Sequence, residues 1–389
     1  MTDDWFAGRR HWVVLFAGWL VAVGYTAFLI APASVLPLMA REFGIRQGTA
    51  GLSISAVYLS WALLQLPGGL VLDRYDNRRL VPLGVGCYLL AAVGCLLAPS
   101  YPVFLLARLV GGVAALVLWT GGANIVSSAF PAETRALGTS VFVASAPVGF
   151  AVGQSAGPLL AGAFGWRAVF PAYALLTLVA FPLYWVASTP AREDASLSVR
   201  GFLSALRNPA VLALSAASFC AYSLFLFFNS WMPAYATDEL GIGLAVAGTA
   251  TALFPLASAL ARPSGGWLSD RLGGRRRLVV AGSFLCSLPL FLVVVLARTP
   301  LVFATALLCA GFVSQLSVGV LYVYVDELSA AGTAGTSLAV LTTLSVTGSL
   351  VAPALSGWLV EAFSWQAAFV YAGALSVAGL ALTLAAPRA

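Results

Sequence analysis

Charge is what this sequence has least of. Only 9% of its 389 residues are acidic or basic, against roughly 25% in soluble domains. With 61% apolar residues and a mean hydropathy of +0.95, that deficit excludes a soluble globule. Lysine is absent, so all twenty basic residues are arginine. We read this as compositional bias, and the net charge of +6 as no signal for nucleic acid. There is one histidine, His11, at the edge of the first apolar run. The five cysteines (Cys87, Cys95, Cys220, Cys286, Cys309) lie in apolar runs and form no CxxC. They read as small buried hydrophobes rather than a disulfide or redox set. No nucleophile-and-base set, metal cluster or phosphate loop stands out, so neither an enzyme, a metal site nor a cofactor is expected. The short alternating segments of a membrane barrel are missing. So is a small-residue cleavage site after the first apolar run, which is read as a retained helix.

What is present is apolar length. The blocks run to about 20–27 residues, enough to cross roughly 30 Å of hydrocarbon as helices. Backbone polar groups in lipid must be satisfied within the segment, which also demands helix. We place twelve spans, at 11–36, 48–72, 80–98, 102–130, 136–163, 167–188, 209–236, 244–270, 277–297, 300–325, 333–361 and 365–386. Residues 189–208 are the longest polar segment. They divide the chain into two six-helix bundles, 1–188 and 209–389, joined by a cytosolic linker. With the N-terminus in the cytosol, fourteen arginines lie inside, four outside (Arg41, Arg46, Arg167, Arg298) and two within spans (Arg108, Arg262). That positive-inside bias predicts a multi-pass protein of the cytoplasmic (inner) membrane with both termini cytosolic; a monomer in the lipid bilayer is the expected state.

The halves repeat each other. Gln65–Arg79 reads QLPGGLVLDRYDNRR and Arg262–Arg277 reads RPSGGWLSDRLGGRRR, with Asp73 and Asp270 197 residues apart. Gly157-Pro158 matches Ala352-Pro353, and WRAVF at 166–170 matches WQAAF at 365–369. Two halves in the same orientation imply a pseudo-two-fold axis along the membrane normal and a substrate site between them near the midplane. The fold class is therefore all-α membrane protein, twelve transmembrane helices in two pseudo-two-fold related six-helix bundles.

The paired turns, with Gly69…Asp73-Arg74…Arg78-Arg79 and Gly266…Asp270-Arg271-Leu272-Gly273-Gly274-Arg275-Arg276, resemble the signature loop of the major facilitator superfamily. Arg108-Leu-Val-Gly111-Gly112 resembles that family's fourth-helix motif, and Gly149, Gly153, Gly157-Pro158 and Gly162 its fifth-helix motif. Asp76 departs from the family's usual glycine in the first loop. The resemblance spans essentially the whole chain and implies alternating access between two rigid halves.

Arg262 is the leading candidate for substrate contact. It lies eight residues before Asp270, about 12 Å inside the membrane at 1.5 Å per residue. A guanidinium there is costly unless it faces a wet cavity or a partner. All fourteen acids sit in loops or at helix ends, so a carboxylate partner is hard to find, and snorkelling would need a long reach. We read Arg262 as an anion ligand, its planar fork suited to carboxylate or a small oxyanion. Ser258 and Phe254 share its face. Gln65, its repeat partner, shares a face with Trp61 and Tyr58 and is read as a second ligand. Tyr25 and Tyr222 sit mid-span in the first and seventh helices, which the resemblance implies line the cavity. Asn229 and Gln315 complete the set. Asp73, Arg74, Arg78, Asp270, Arg271 and Arg275 are expected to form a gate latch at the cytosolic end, with Glu133 and Glu327 as partners. Arg108 is placed beside that set as a residue holding neighbouring helices through hydrogen bonds. Trp119 and Phe225, Phe227 and Phe228 read as packing, as does the small-residue face Gly149, Gly153, Gly157.

The reading is a secondary active transporter moving a small anion (organic carboxylate, cyanate or nitrate/nitrite-like). The segment ARPSGGWLSDRLGG resembles nitrate/nitrite porters and organic-anion branches. Gln65 stands where the nitrate pattern has arginine, which favours a carboxylate or cyanate-like substrate. Without an embedded acid, transport is expected to be anion exchange, or symport in which the substrate accounts for the proton. The alternative is efflux of hydrophobic drugs, favoured by the fifth-helix Gly-Pro and the apolar lining.

Overall fold

The computed structural model describes residues 2–131, 134–190, 205–329 and 333–387. Glu133 and most of the expected linker lie outside the described residues. Eleven of the described helices are long and apolar enough to cross a membrane. The 23-residue helix Leu52–Arg74 packs among them as the second of twelve spans. First and last spans begin and finish at the same end, which we call the terminal end. Tyr324, at the close of the tenth span, donates to the Pro387 carbonyl there.

Local chemistry explains most boundaries. The seventh span (Pro209–Asp238) starts on Asn208, whose side chain accepts from the Ala210 and Val211 N–H groups. Ser364 and Thr299 cap the twelfth and tenth spans in the same way. The two repeated turns differ. In the first, Asp76 takes φ −61° and accepts from Arg78 N–H, capping the third span. In the second, Gly273 and Gly274 take φ +76° and +78°, a left-handed turn that suits glycine. The departure at Asp76 is thus a change from a glycine turn to a helix cap.

Between the first and second spans the chain forms two short helices, Leu36–Phe43 and Gln47–Ala50, at the far end. The expected second span, 48–72, takes in most of the second short helix, whereas the transmembrane helix itself begins at Leu52. Glu42 there accepts from the Trp166 indole and the Arg167 guanidinium. Those bonds hold its carboxyl below the usual carboxylate range.

Helix pairings repeat across the halves. The first span packs on the fifth and sixth, as the seventh does on the eleventh and twelfth. The second packs on the fourth as the eighth does on the tenth. Glycines permit these close approaches. A Cβ on Gly149 would strike Thr26 and the Val23 carbonyl, one on Gly153 the Ala27 carbonyl, and one on Gly311 the Phe254 carbonyl. The fifth-span glycines are therefore a packing face. The halves meet through the fifth span on the eighth and the second on the eleventh, again a symmetric pair.

Candidate functional site

A cavity of about 120 Å³ lies between the halves. Its walls come from the first, second, fourth, fifth, seventh, eighth, tenth and eleventh spans. The fourth span contributes Trp119 and Thr120 from a π-helical turn, Val117–Gly121. Such turns re-aim side chains and recur at functional sites.

Arg262 reaches this cavity from the eighth span. It is half-buried, and its Nη2 donates to Gln315 Oε1 at 3.3 Å. The guanidinium carbon sits 5.0 Å from the Phe225 ring centroid and 5.8 Å from that of Tyr222, within cation–π range. Its Nε is buried without a hydrogen-bond partner. Among the described residues no carboxylate pairs with it. Gln315 is fully buried behind it. A neutral amide orients the guanidinium without cancelling its charge.

The other expected ligands divide. Gln65 and Tyr222 line the cavity with Arg262. The Gln65 Oε1 and the neighbouring Trp61 Nε1 are buried without partners. The Tyr222 hydroxyl lies 3.4 Å from that of Tyr322 on the opposite wall of the same half. Tyr25 is fully buried and meets Tyr88 edge-on at 6.0 Å, off the cavity wall. Ser258 is buried and returns its hydroxyl to the Phe254 carbonyl at 2.7 Å. Asn229 is buried and donates to the Phe225 carbonyl at 2.7 Å. These three are structural neighbours of the cavity rather than its lining.

Trp119 and Phe225, expected as packing, are wall residues, and Thr342, Ser345 and Ser349 were not singled out at all. The last three recur at helical spacing on the eleventh span, a small polar stripe that periodicity alone could have found.

Beyond the cavity, toward the far end, the halves are sealed in layers. Phe150 stacks on Phe225 at 5.3 Å. Next, Gln154 Nε2 donates across the interface to the Asn229 carbonyl at 3.0 Å and to Asn229 Oδ1 at 2.9 Å. Pro233 lies four residues after Asn229 and has no N–H, so this carbonyl has lost its helical donor. Ser55 donates to the Leu350 carbonyl at 2.7 Å. Outermost, Arg46 pairs with Glu361 at 2.8 Å, over a close contact of Gly48 with Gly357.

At the terminal end the latch differs from expectation. Arg276, not Arg275, pairs with Asp270 and reaches Glu327 at 3.2 Å. All three belong to the second half. Arg271 lies over the Trp267 ring at 5.0 Å, and Arg78 donates to the Trp185 carbonyl at 3.1 Å within the first half. Arg74 is exposed at the end of the second span, and the Asp73 side chain lies outside the described ones. Arg108 is remote from both ends' surfaces and fully buried, donating to the Ser53, Phe28 and Leu29 carbonyls at 2.9, 2.9 and 2.6 Å.

The family model for the Major Facilitator Superfamily matches residues 14–346 and 214–389. The chain belongs to the Major Facilitator Superfamily. It is a multi-pass membrane protein. A bacterial homologue of the human lysosomal transporter Spinster, solved in an inward-facing and occupied conformation, superposes with a TM-score of 0.82 at 18% identity over 97% of both chains. That likeness establishes the fold. Among curated sequences, this chain is 27% identical to a probable chloroplastic anion transporter 4 of Oryza sativa subsp. japonica, over 89% of this chain and 63% of that protein. It is 24% identical to a chloroplastic ascorbate transporter of Arabidopsis thaliana, over 96% and 74%. It is 29% identical to a probable nitrate/nitrite antiporter of Thermus thermophilus, over 66% and 62%. The chain thus spans less than two thirds of the rice and Thermus proteins.

Proposed function

We propose that this transporter moves a small anion by alternating access, with Arg262 as its charge-binding group. The observation that carries the reading is an unneutralised guanidinium in the cavity between the halves. A group so placed costs several kcal/mol in lipid unless water or a ligand compensates it. An anion supplies that compensation each time it binds. The relatives named for anion, ascorbate and nitrate/nitrite transport support the same class.

The layered seal lies on one side of the cavity, so access is from the terminal end. The arginine bias supports a cytosolic position for that end and both termini, which reads this conformation as the inward-facing one of a protein of the cytoplasmic membrane. The two bundles then rock about the cavity as units. Among the described residues, none that lines the cavity carries a carboxylate or an imidazole. Coupling is therefore exchange for a second anion, or symport with the proton travelling on the substrate.

The test is counterflow in proteoliposomes. Uptake of labelled anion should depend on the same class of anion inside, and Arg262→Gln should lower it on the order of 100-fold while the variant still folds. Uptake of lipophilic cations, unaffected by Arg262→Gln, would move the protein to the drug-export reading.

A further inference from the structure

Resting on the anion reading, the cavity's walls narrow the substrate. Seven aromatic side chains line it, Tyr58 and Trp61 on the second span and Trp119, Phe150, Tyr222, Phe225 and Tyr322 on the others. Aromatic faces carry negative charge density and prefer another ring, or a cation, to an anion. A small inorganic anion would leave these walls unfilled and would meet them with the wrong sign. The charge count points the same way. A single arginine balances one negative charge, and Gln315, its hydrogen-bond partner, adds none. A dianion such as phosphate would keep an unpaired charge in a desolvated site, which is costly.

The unused polar atoms complete the pattern. Arg262 Nε and Trp61 Nε1 are donors buried without partners, and Gln65 Oε1 is an acceptor in the same condition. They sit on opposite halves, Arg262 on the eighth span and Trp61 with Gln65 on the second. A ligand using both must therefore bridge the interface. The space, about 120 Å³, is smaller than the roughly 150 Å³ of an engineered apolar cavity that holds one benzene, so it admits one ring at most, and the walls must give slightly around a ring with its carboxylate.

We propose that the substrate is a planar aromatic or heteroaromatic monocarboxylate. Its carboxylate binds Arg262, its ring lies between the aromatic walls, and a ring hydroxyl or ring nitrogen reaches Gln65 and Trp61. Because the ring touches both halves, its binding brings the second and eighth spans together, which is what closure at the terminal end requires.

The test is equilibrium binding to the full-length protein in detergent, by calorimetry, with probes that separate ring, charge and size. Benzoate, 4-hydroxybenzoate and nicotinate are the aromatic acids. Cyclohexanecarboxylate keeps charge and bulk without the π face, benzamide keeps the ring without the charge, and nitrate and phosphate are the inorganic anions. At least one aromatic acid should bind about three- to tenfold more tightly than cyclohexanecarboxylate, the range of ring-stacking gains. Benzamide should lose on the order of 10- to 100-fold, as expected for losing bonds to a charged group. Phe225→Leu should erase the aromatic preference while retaining carboxylate binding.

Nitrate or phosphate binding that needs Arg262, with no aromatic acid bound at millimolar concentration, overturns this inference and leaves the anion reading standing. Cyclohexanecarboxylate binding as tightly as the best of the three aromatic acids also overturns it. Benzamide or lipophilic cations binding as well as benzoate, unchanged in Arg262→Gln, overturns both.

Discussion

Arg108 and Arg262 occupy apolar spans, one in each half, and the protein treats them in opposite ways. Arg108 is fully buried and spends its donors on three backbone carbonyls. One of these, at Phe28, is free because Pro32 four residues on has no N–H to offer it. The guanidinium carbon also lies 4.5 Å from the Phe28 ring centroid. Arg262 has one long bond to a neutral amide and an unused Nε. The first is a clamp whose bonding capacity is consumed by the fold. The second keeps its capacity for something not in the fold. An arginine inside a membrane is therefore classified by what satisfies it, not by its depth.

The comparison breaks most visibly at Arg108. Arg108→Gln should leave two or three buried carbonyls without donors, at about 1–3 kcal/mol each. The expected result is loss of the monodisperse peak in detergent and a sharp fall in membrane yield. Arg108→Lys should rescue little, because an ammonium cannot reach carbonyls on two helices with a planar fork. A well-folded Arg108→Gln protein would make the clamp dispensable.

Arg262→Gln should do the reverse. The unfolding midpoint should stay close to that of the parent protein, because no buried partner is orphaned except Gln315. Anion counterflow should fall on the order of 100-fold, from the loss of charge-assisted bonds of about 1.5–3 kcal/mol. Arg262→Lys should keep part of the activity as a point charge. A collapse of folding on par with Arg108→Gln would show that Arg262 is a second clamp.

Gln315→Leu tests the hinge between the two cases. It frees Arg262 Nη2 and removes the amide that aims it. Affinity for the transported anion should weaken about three- to tenfold, the scale of one ordinary hydrogen bond, because the bond removed only aims the guanidinium. Thermal stability without ligand should change little, and tighter binding in this variant would contradict a positioning role.

This contrast also shows what the sequence could carry. The superfamily fold and the spans were legible, because lipid demands helices of fixed length and the basic turns repeat. Arg262 was legible through its depth and the absence of acids, and Gln65 through the repeat. Tyr25, Ser258 and Asn229 were not separable from lining residues. A mid-span polar group reads the same whether it faces a cavity or bonds a helix backbone, and Ser258 and Asn229 do the latter. The choice of Arg276 over Arg275 depended on one residue of rotation after Gly273 and Gly274, whose left-handed turn no periodicity records. Likewise Trp119 reached the cavity through a π turn that shifts the helical phase.

The smallest expected effect lies at the far end. Arg46 pairs with Glu361 across the halves, but the Arg46 side chain is 74% exposed and that of Glu361 22%. Such pairs are worth about 0.2–1 kcal/mol and are screened by salt. Glu361→Gln should therefore shift the balance between the two access states by less than about fivefold. The shift can be read as labelling of a cysteine placed at Ser349, which lines the cavity, by a reagent supplied from the far side. At high salt the parent and variant should converge. The deeper layers are not screened: Gln154 against the Asn229 carbonyl, and Gly48 against Gly357, are shielded from water and depend on close backbone approach. A large effect from Glu361→Gln would mean that the surface pair, rather than this packing, holds the far end closed.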